Sequence, residues 1–155
     1  MAGQNVAANQ YPWITGAGVT VAIIDCGIDY NSPQMGAGKV IHQYNFRDRN
    51  SNRLDDYGHG TGVAGIIACN GCSSNGQYNH GVAPGVNLVD LKQESSAGVE
   101  AAPDWVIANH TAYNIQVVNL TDFVSHVRLH QGVTENGYRP TCLLRQLVRN
   151  VLIIS

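Results

Sequence analysis

The chain has 155 residues, a length that suits one domain and is enough to bury a core. Only 13% of the residues are charged and the net charge is −2, so nothing favours binding to nucleic acid or to an anionic membrane surface. No apolar run approaches the ~20 residues of a bilayer span, and Met1 to Gln10 has neither the basic start nor the apolar stretch of a signal peptide.

Val19-Thr20-Val21-Ala22-Ile23-Ile24 is a β-branched run ending in Asp25, and it predicts a strand buried on both faces. Lys39 to Phe46 alternates more and predicts a second strand, followed by a polar loop from Arg47 to Asp56. His59 to Ala68 has small and apolar residues and predicts a helix. Val86 to Leu91 predicts a strand, introduced by Ala83-Pro84-Gly85. Pro103 suits a first helical turn, so a helix is expected from about there to His110. Gln116 to Leu120 predicts another strand, and a long polar loop runs from Asp122 to Arg139. Leu143, Leu144, Leu147 and Val148 lie at helical spacing, with Asn150 able to end that helix. Val151 to Ile154 reads as a last buried strand. Helices alternating with buried strands imply an α/β fold with a mostly parallel sheet flanked by helices. The chain stops on a strand with no helix after it, an end that suggests truncation.

In open α/β sheets, functional groups gather at the carboxyl ends of strands. Asp25 is expected at such an end. Gly58-His59-Gly60-Thr61-Gly62 places His59 at the start of a helix. Right-handed crossovers bring helix starts to that same edge, so Asp25 and His59 are expected to meet. A carboxylate bonded to one ring nitrogen would fix the tautomer and leave the other nitrogen as a base. The flanking glycines are expected to let a substrate approach. Cys26 should point away from Asp25, because adjacent strand residues face opposite sides. For either residue taken alone, a turn or a helix cap is the simpler reading.

Together these segments resemble a family. Val21-Ala22-Ile23-Ile24-Asp25-Cys26-Gly27-Ile28-Asp29 resembles the aspartate motif of subtilisin-like serine peptidases, and His59-Gly60-Thr61-Gly62-Val63-Ala64-Gly65 their histidine motif. Gly81-Val82-Ala83-Pro84 matches the next signature, and Val117-Val118-Asn119-Leu120 a later strand, all in the family's order. The resemblance implies a serine-type endopeptidase acting on protein or peptide substrates. In it, His59 takes the proton of a nucleophilic serine and Asp25 orients the imidazole. It implies no cofactor, and it favours an extracellular location. Residues 1–155 then read as the N-terminal portion of such a peptidase domain.

Several residues depart from the family pattern. Gly62 stands where the family often has a second histidine, and Cys26 where a small hydroxyl residue is common. The Ser-Leu-Gly segment that usually pairs with substrate becomes Thr121-Asp122-Phe123, which leaves Thr121 as the candidate substrate-binding residue. None of the eight serines follows Gly-Thr or sits in a Gly-x-Ser-x-Gly elbow. Val151 to Ser155 resembles the strand that comes just before the family's oxyanion asparagine, which makes Ser155 a strand-end residue. A non-catalytic remnant or a peptide-binding module is therefore the rival reading.

No metal site is legible. Cys69-Asn70-Gly71-Cys72 has ligand spacing, but a structural zinc needs four ligands and no second pair exists, so a surface turn with two thiols is expected. With Cys26 and Cys142, the four cysteines are too few for a disulfide framework. Asp48, Asn50 and Asn52 begin like a calcium loop, but Arg53 replaces the required glycine. His42, His80, His110, His126 and His130 are scattered, and each is read as a surface or satisfied core histidine, with Trp105 as core packing.

Overall fold

The computed structural model describes residues 4–46, 54–71, 80–93, 96–120 and 152–154. In chain order the elements are α1 (Gln4–Gln10), β1 (Thr20–Asp25), β2 (Val40–Asn45), α2 (His59–Ala68), β3 (Asn87–Lys92), α3 (Ser96–Asn109), β4 (Ile115–Leu120) and β5 (Leu152–Ile154). The five strands form one sheet in the order β2-β3-β1-β4-β5, and every pairing is parallel. This is the mostly parallel α/β architecture that the alternating pattern implies. Each predicted strand recurs with its ends moved by a residue or so.

Two helices differ from expectation. α1 carries no apolar stripe, since Val6 is its one large apolar residue and is exposed, so periodicity gives no sign of it. α3 starts at Ser96 rather than near Pro103, which lies inside the helix. A proline there costs one backbone bond, and the full burial of Ala102 and Val106 against the sheet holds the helix through it. The predicted helix over residues 143–150 and the polar loop over 122–139 lie outside the described residues, as do Thr121 and the calcium-like Asp48, Asn50 and Asn52.

β1 lies between β3 and β4, so the chain leaves it in both directions and the helices cover opposite faces. Val21 and Ile23 pack with Ile28, Met35, Ala64 and Ala68 on the α2 side. Ala22 and Ile24 pack with Val89, Leu91, Ala102 and Val106 on the α3 side. Side chains alternate along a strand, which is why the continuous apolar run of β1 reads as buried on both faces. Each fully buried Ile, Leu or Val contributes about 1.5–3 kcal/mol. Asp25 continues the row of Val21 and Ile23, so the pleat aims it at the side that α2 occupies.

Trp105 packs against the α3-side core, as expected. It stacks on His42 of β2 with ring centroids 5.0 Å apart, and Tyr113 lies within hydrogen-bonding distance of His42 Nδ1 at 3.1 Å. Burial pushes the His42 imidazole below its usual range, which suits a neutral ring in an aromatic stack.

The carboxyl end of the sheet is polar inside. Asp25, Asn45, Asp90, Lys92 and Gln93 are all buried there. Asp90 Oδ2 accepts from the Ile28 N–H at 3.0 Å and from the Gln43 amide at 3.0 Å. Its Oδ1 has no partner among the described residues. Burial pushes the Asp90 carboxyl up to about 7, against the opposing pull of those two donors and Lys92. The unfolded chain therefore loses this proton near 3.8 and the folded chain near 7. In that window folding takes up a proton, so stability falls as pH rises from about 4 to 7. Asp90→Asn is expected to stabilise the protein at pH 8 on the order of 1–3 kcal/mol, and to give no gain at pH 4. Urea midpoints at the two pH values check this, and an equal shift at both would contradict it.

Candidate active site

β1 delivers Asp25 to the carboxyl edge of the sheet, and α2 begins there with His59. His59 Nδ1 lies 2.9 Å from Asp25 Oδ1 and 3.0 Å from Oδ2. The two residues are 34 positions apart and meet at the edge the crossover rule predicts. Asp25 is fully buried at its side chain, while the His59 side chain is 36% exposed. The Cys26 N–H also donates to Asp25 Oδ1 at 2.7 Å, which fixes the carboxylate from the strand side. A carboxylate held this way can set the imidazole tautomer.

Cys26 does not point away. The strand ends at Asp25, and Gly27 takes φ +110°, so the pleat that would turn Cys26 to the α3 side has already stopped. Its thiol donates to Asp55 Oδ1 at 3.1 Å and accepts from the Gly60 N–H at 3.3 Å. Burial pushes the thiol up to about 12, reinforced by the neighbouring carboxylates, so it stays protonated and acts as a donor.

Gly60 serves packing rather than substrate access. A Cβ there would lie 2.2 Å from the Gly27 carbonyl oxygen and 3.2 Å from Asp25 Oδ1. The bare backbone at Gly60 is what lets α2 approach the exit of β1 closely enough for His59 to reach Asp25.

Asp55 organises the start of α2. Its Oδ1 accepts from the N–H groups of Tyr57 at 2.9 Å and Gly58 at 2.8 Å, besides the Cys26 thiol. Its Oδ2 accepts from the Thr61 N–H at 2.9 Å and the Thr61 hydroxyl at 2.6 Å. Burial would raise this carboxyl, but the Thr61, Tyr57 and Cys26 donors outweigh it and hold it at about 2. The residue preceding α2, Gly58, has no side chain to cap it and sits in the left-handed region, so Asp55 supplies the acceptor from further back. The sequence signal is an acidic residue just before a helix start, and it does not separate Asp55 from Asp56.

Lys92 anchors the same segment from below. Its buried ammonium donates to the Leu54 carbonyl at 2.8 Å and pairs with Asp56 at 2.8 Å. Lys92 is also the register partner of Asp25 on β3. A lysine inside an apolar strand run was not foreseeable as a site residue, because its partners come from the polar loop.

Residues 16–121 match the family model described as the Subtilase family. The chain belongs to the subtilase family. It is 42% identical over 85 residues to serine protease AprX of Bacillus subtilis (strain 168), covering 55% of this chain and 19% of that protein. It is 35% identical over 111 residues to alkaline serine exoprotease A of Vibrio alginolyticus, covering 68% of this chain and 19% of that protein. A cold-adapted subtilisin-like serine proteinase of known structure superposes with a TM-score of 0.54 at 31% identity, over 68% of this chain and 37% of that one. The chain thus spans about a fifth of the length of those two relatives.

In this subtilase Asp25, Cys26 and His59 each offer one donor atom within 4.8 Å of the others. They make a poor metal centre, because the thiol is held protonated by burial and the carboxylate is already engaged by His59 and the Cys26 N–H. The expected surface turn with two thiols is corrected at Cys69, which is fully buried and disulfide-bonded. It closes α2, its N–H bonding back to the Gly65 carbonyl, and it packs in the α2-side core, where an apolar sulfur belongs. Cys72 and Cys142 lie outside the described residues. Among the described residues no helix is long and apolar enough to cross a membrane.

Proposed function

We propose that this subtilase contributes the aspartate and histidine of an Asp-His-Ser triad in a serine-type endopeptidase. The observation that carries the reading is the 2.9 Å contact between Asp25 Oδ1 and His59 Nδ1, placed at the sheet edge where α/β folds do chemistry. In this reading the second nitrogen of His59 takes the proton of a serine hydroxyl as that oxygen attacks a peptide carbonyl. His59 then returns the proton to the leaving amine, while Asp25 stabilises the imidazolium. The nucleophile and the oxyanion donor come from outside these 155 residues, whose serines lack the family's Gly-Thr-Ser context. Thr121 is proposed to pair its backbone with an extended protein or peptide substrate. An extracellular setting is favoured by the name of the Vibrio exoprotease and by the disulfide at Cys69, since such bonds persist in oxidising compartments.

The test uses the gene product carried through the reading frame beyond Ser155. It is expected to hydrolyse casein and to take up one fluorophosphonate, and His59→Ala is expected to lower kcat by about 10⁴–10⁶-fold. A frame that closes at Ser155, or an active product indifferent to His59→Ala, would reject the reading in favour of a non-catalytic remnant or peptide-binding module.

A further inference from the structure

We propose that Asp55, acting through Cys26 and Thr61, is a positioning residue that sets the distance between Asp25 and His59. The inference rests on the catalytic reading above for its purpose, but its geometry stands apart from that reading. Asp25 and His59 come from two segments, the exit of β1 and the start of α2, and no backbone ladder joins those segments. A helix and a strand in separate layers are free to slide by an ångström unless something fixes them, and an ångström is enough to break a 2.9 Å contact.

Beside the direct Gly60 N–H to Cys26 Sγ bond at 3.3 Å, the Asp55 carboxylate supplies fixing bonds on both sides of this junction. One of its oxygens holds the Cys26 thiol, one residue past Asp25. The same oxygen holds the N–H of Gly58, one residue before His59. The other oxygen holds both the N–H and the hydroxyl of Thr61. The Thr61 hydroxyl oxygen in turn accepts from the Asp29 N–H at 2.9 Å, a second link from α2 back to the β1 exit. Two routes therefore run from the carboxylate to the strand side, one through Cys26 and one through Thr61 and Asp29. Both close on the helix side within two residues of His59. Hydrogen bonds to an ionised acceptor are about twice as strong as neutral ones, and burial of Cys26 keeps its thiol a donor.

The residue types meet definite needs. Asp55 must be a short acceptor with two oxygens. Thr61 must donate through its hydroxyl while accepting at the same atom, which serine also does and valine does not. At Cys26, serine retains both the donor and the acceptor, whereas alanine loses both.

The experiment measures the His59 Nδ1–H proton by nuclear magnetic resonance in the 155-residue chain with ¹⁵N-labelled histidine. This readout needs no peptide hydrolysis, so a failure of the endopeptidase reading leaves it interpretable. The unmodified chain is expected to show a downfield, slowly exchanging Nδ1–H that Asp25→Asn shifts upfield. Thr61→Val and Cys26→Ala are expected to move the resonance upfield and to speed its exchange at least tenfold. Thr61→Ser and Cys26→Ser are expected to restore it. Asp55→Asn should act like Thr61→Val, and the two milder variants carry the test if it fails to fold. Val106→Ala, which weakens the core on the opposite face, is the control for lost stability and should leave the proton unchanged. A Thr61→Val protein that folds and keeps the unmodified resonance would overturn the proposal. So would a Val106→Ala protein that reproduces the loss.

Discussion

The 155-residue chain on its own is expected to leave casein intact and to take up no fluorophosphonate. Its Asp25–His59 pair is in place, at 2.9 Å, but the proposed base needs a nucleophilic serine to deprotonate. None of the eight serines stands after Gly-Thr. In subtilisin, removing the triad nucleophile costs about 10⁶-fold in kcat. The same order of loss is expected here relative to a complete triad. Labelling with the fluorophosphonate at equimolar and tenfold excess, followed by intact mass, checks the expectation. Stoichiometric labelling of any serine would contradict it and would require a nucleophile of a different kind.

The second large effect is expected from two glycines of α2 that a sequence treats alike. Gly60→Ala is expected to destabilise the protein by about 3 kcal/mol, because its Cβ would lie 2.2 Å from the Gly27 carbonyl oxygen. A backbone atom cannot swing aside as a side chain can, so the start of α2 must lift and His59 must leave Asp25. Gly62→Ala, two residues on, meets nothing within 4 Å among the described residues. There the substitution only removes backbone freedom from the unfolded chain and should stabilise by about 0.5–1 kcal/mol. Urea midpoints of the two variants should therefore shift in opposite directions. A Gly60→Ala protein as stable as the unmodified chain would mean that α2 sits further from the β1 exit than the contact at Gly27 requires.

Much of the frame was legible because it is local. The apolar run from Val19 to Ile24 announces a doubly buried strand, and the small residues from His59 to Ala68 announce a helix that can pack closely. With right-handed crossovers, those two assignments alone bring Asp25 and His59 to one edge. The misreadings share a physical cause, which is tertiary burial overriding a local rule. Pro103 favours a helix start, but Ala102 and Val106 are buried on either side of it. Cys26 would alternate away from Asp25 if the strand continued, but Gly27 ends it. Cys69 looks like part of an exposed turn, yet its sulfur lies in the α2-side core. Asp55 escaped notice for a different reason. Its five donors come from Cys26, Tyr57, Gly58 and Thr61, and only folding brings the first of these to the loop that carries it.

The buried thiol of Cys26 also makes the junction observable from outside. The thiolate is the form that attacks alkylating reagents, and Cys26 is 3% exposed with burial holding its thiol up to about 12. Modification must wait for the β1 exit and the start of α2 to part, so the rate of carbamidomethylation at Cys26, read by peptide mapping, counts those partings directly. A native side chain beside Asp25 thus serves as a clock for how often the aspartate and the histidine lose each other.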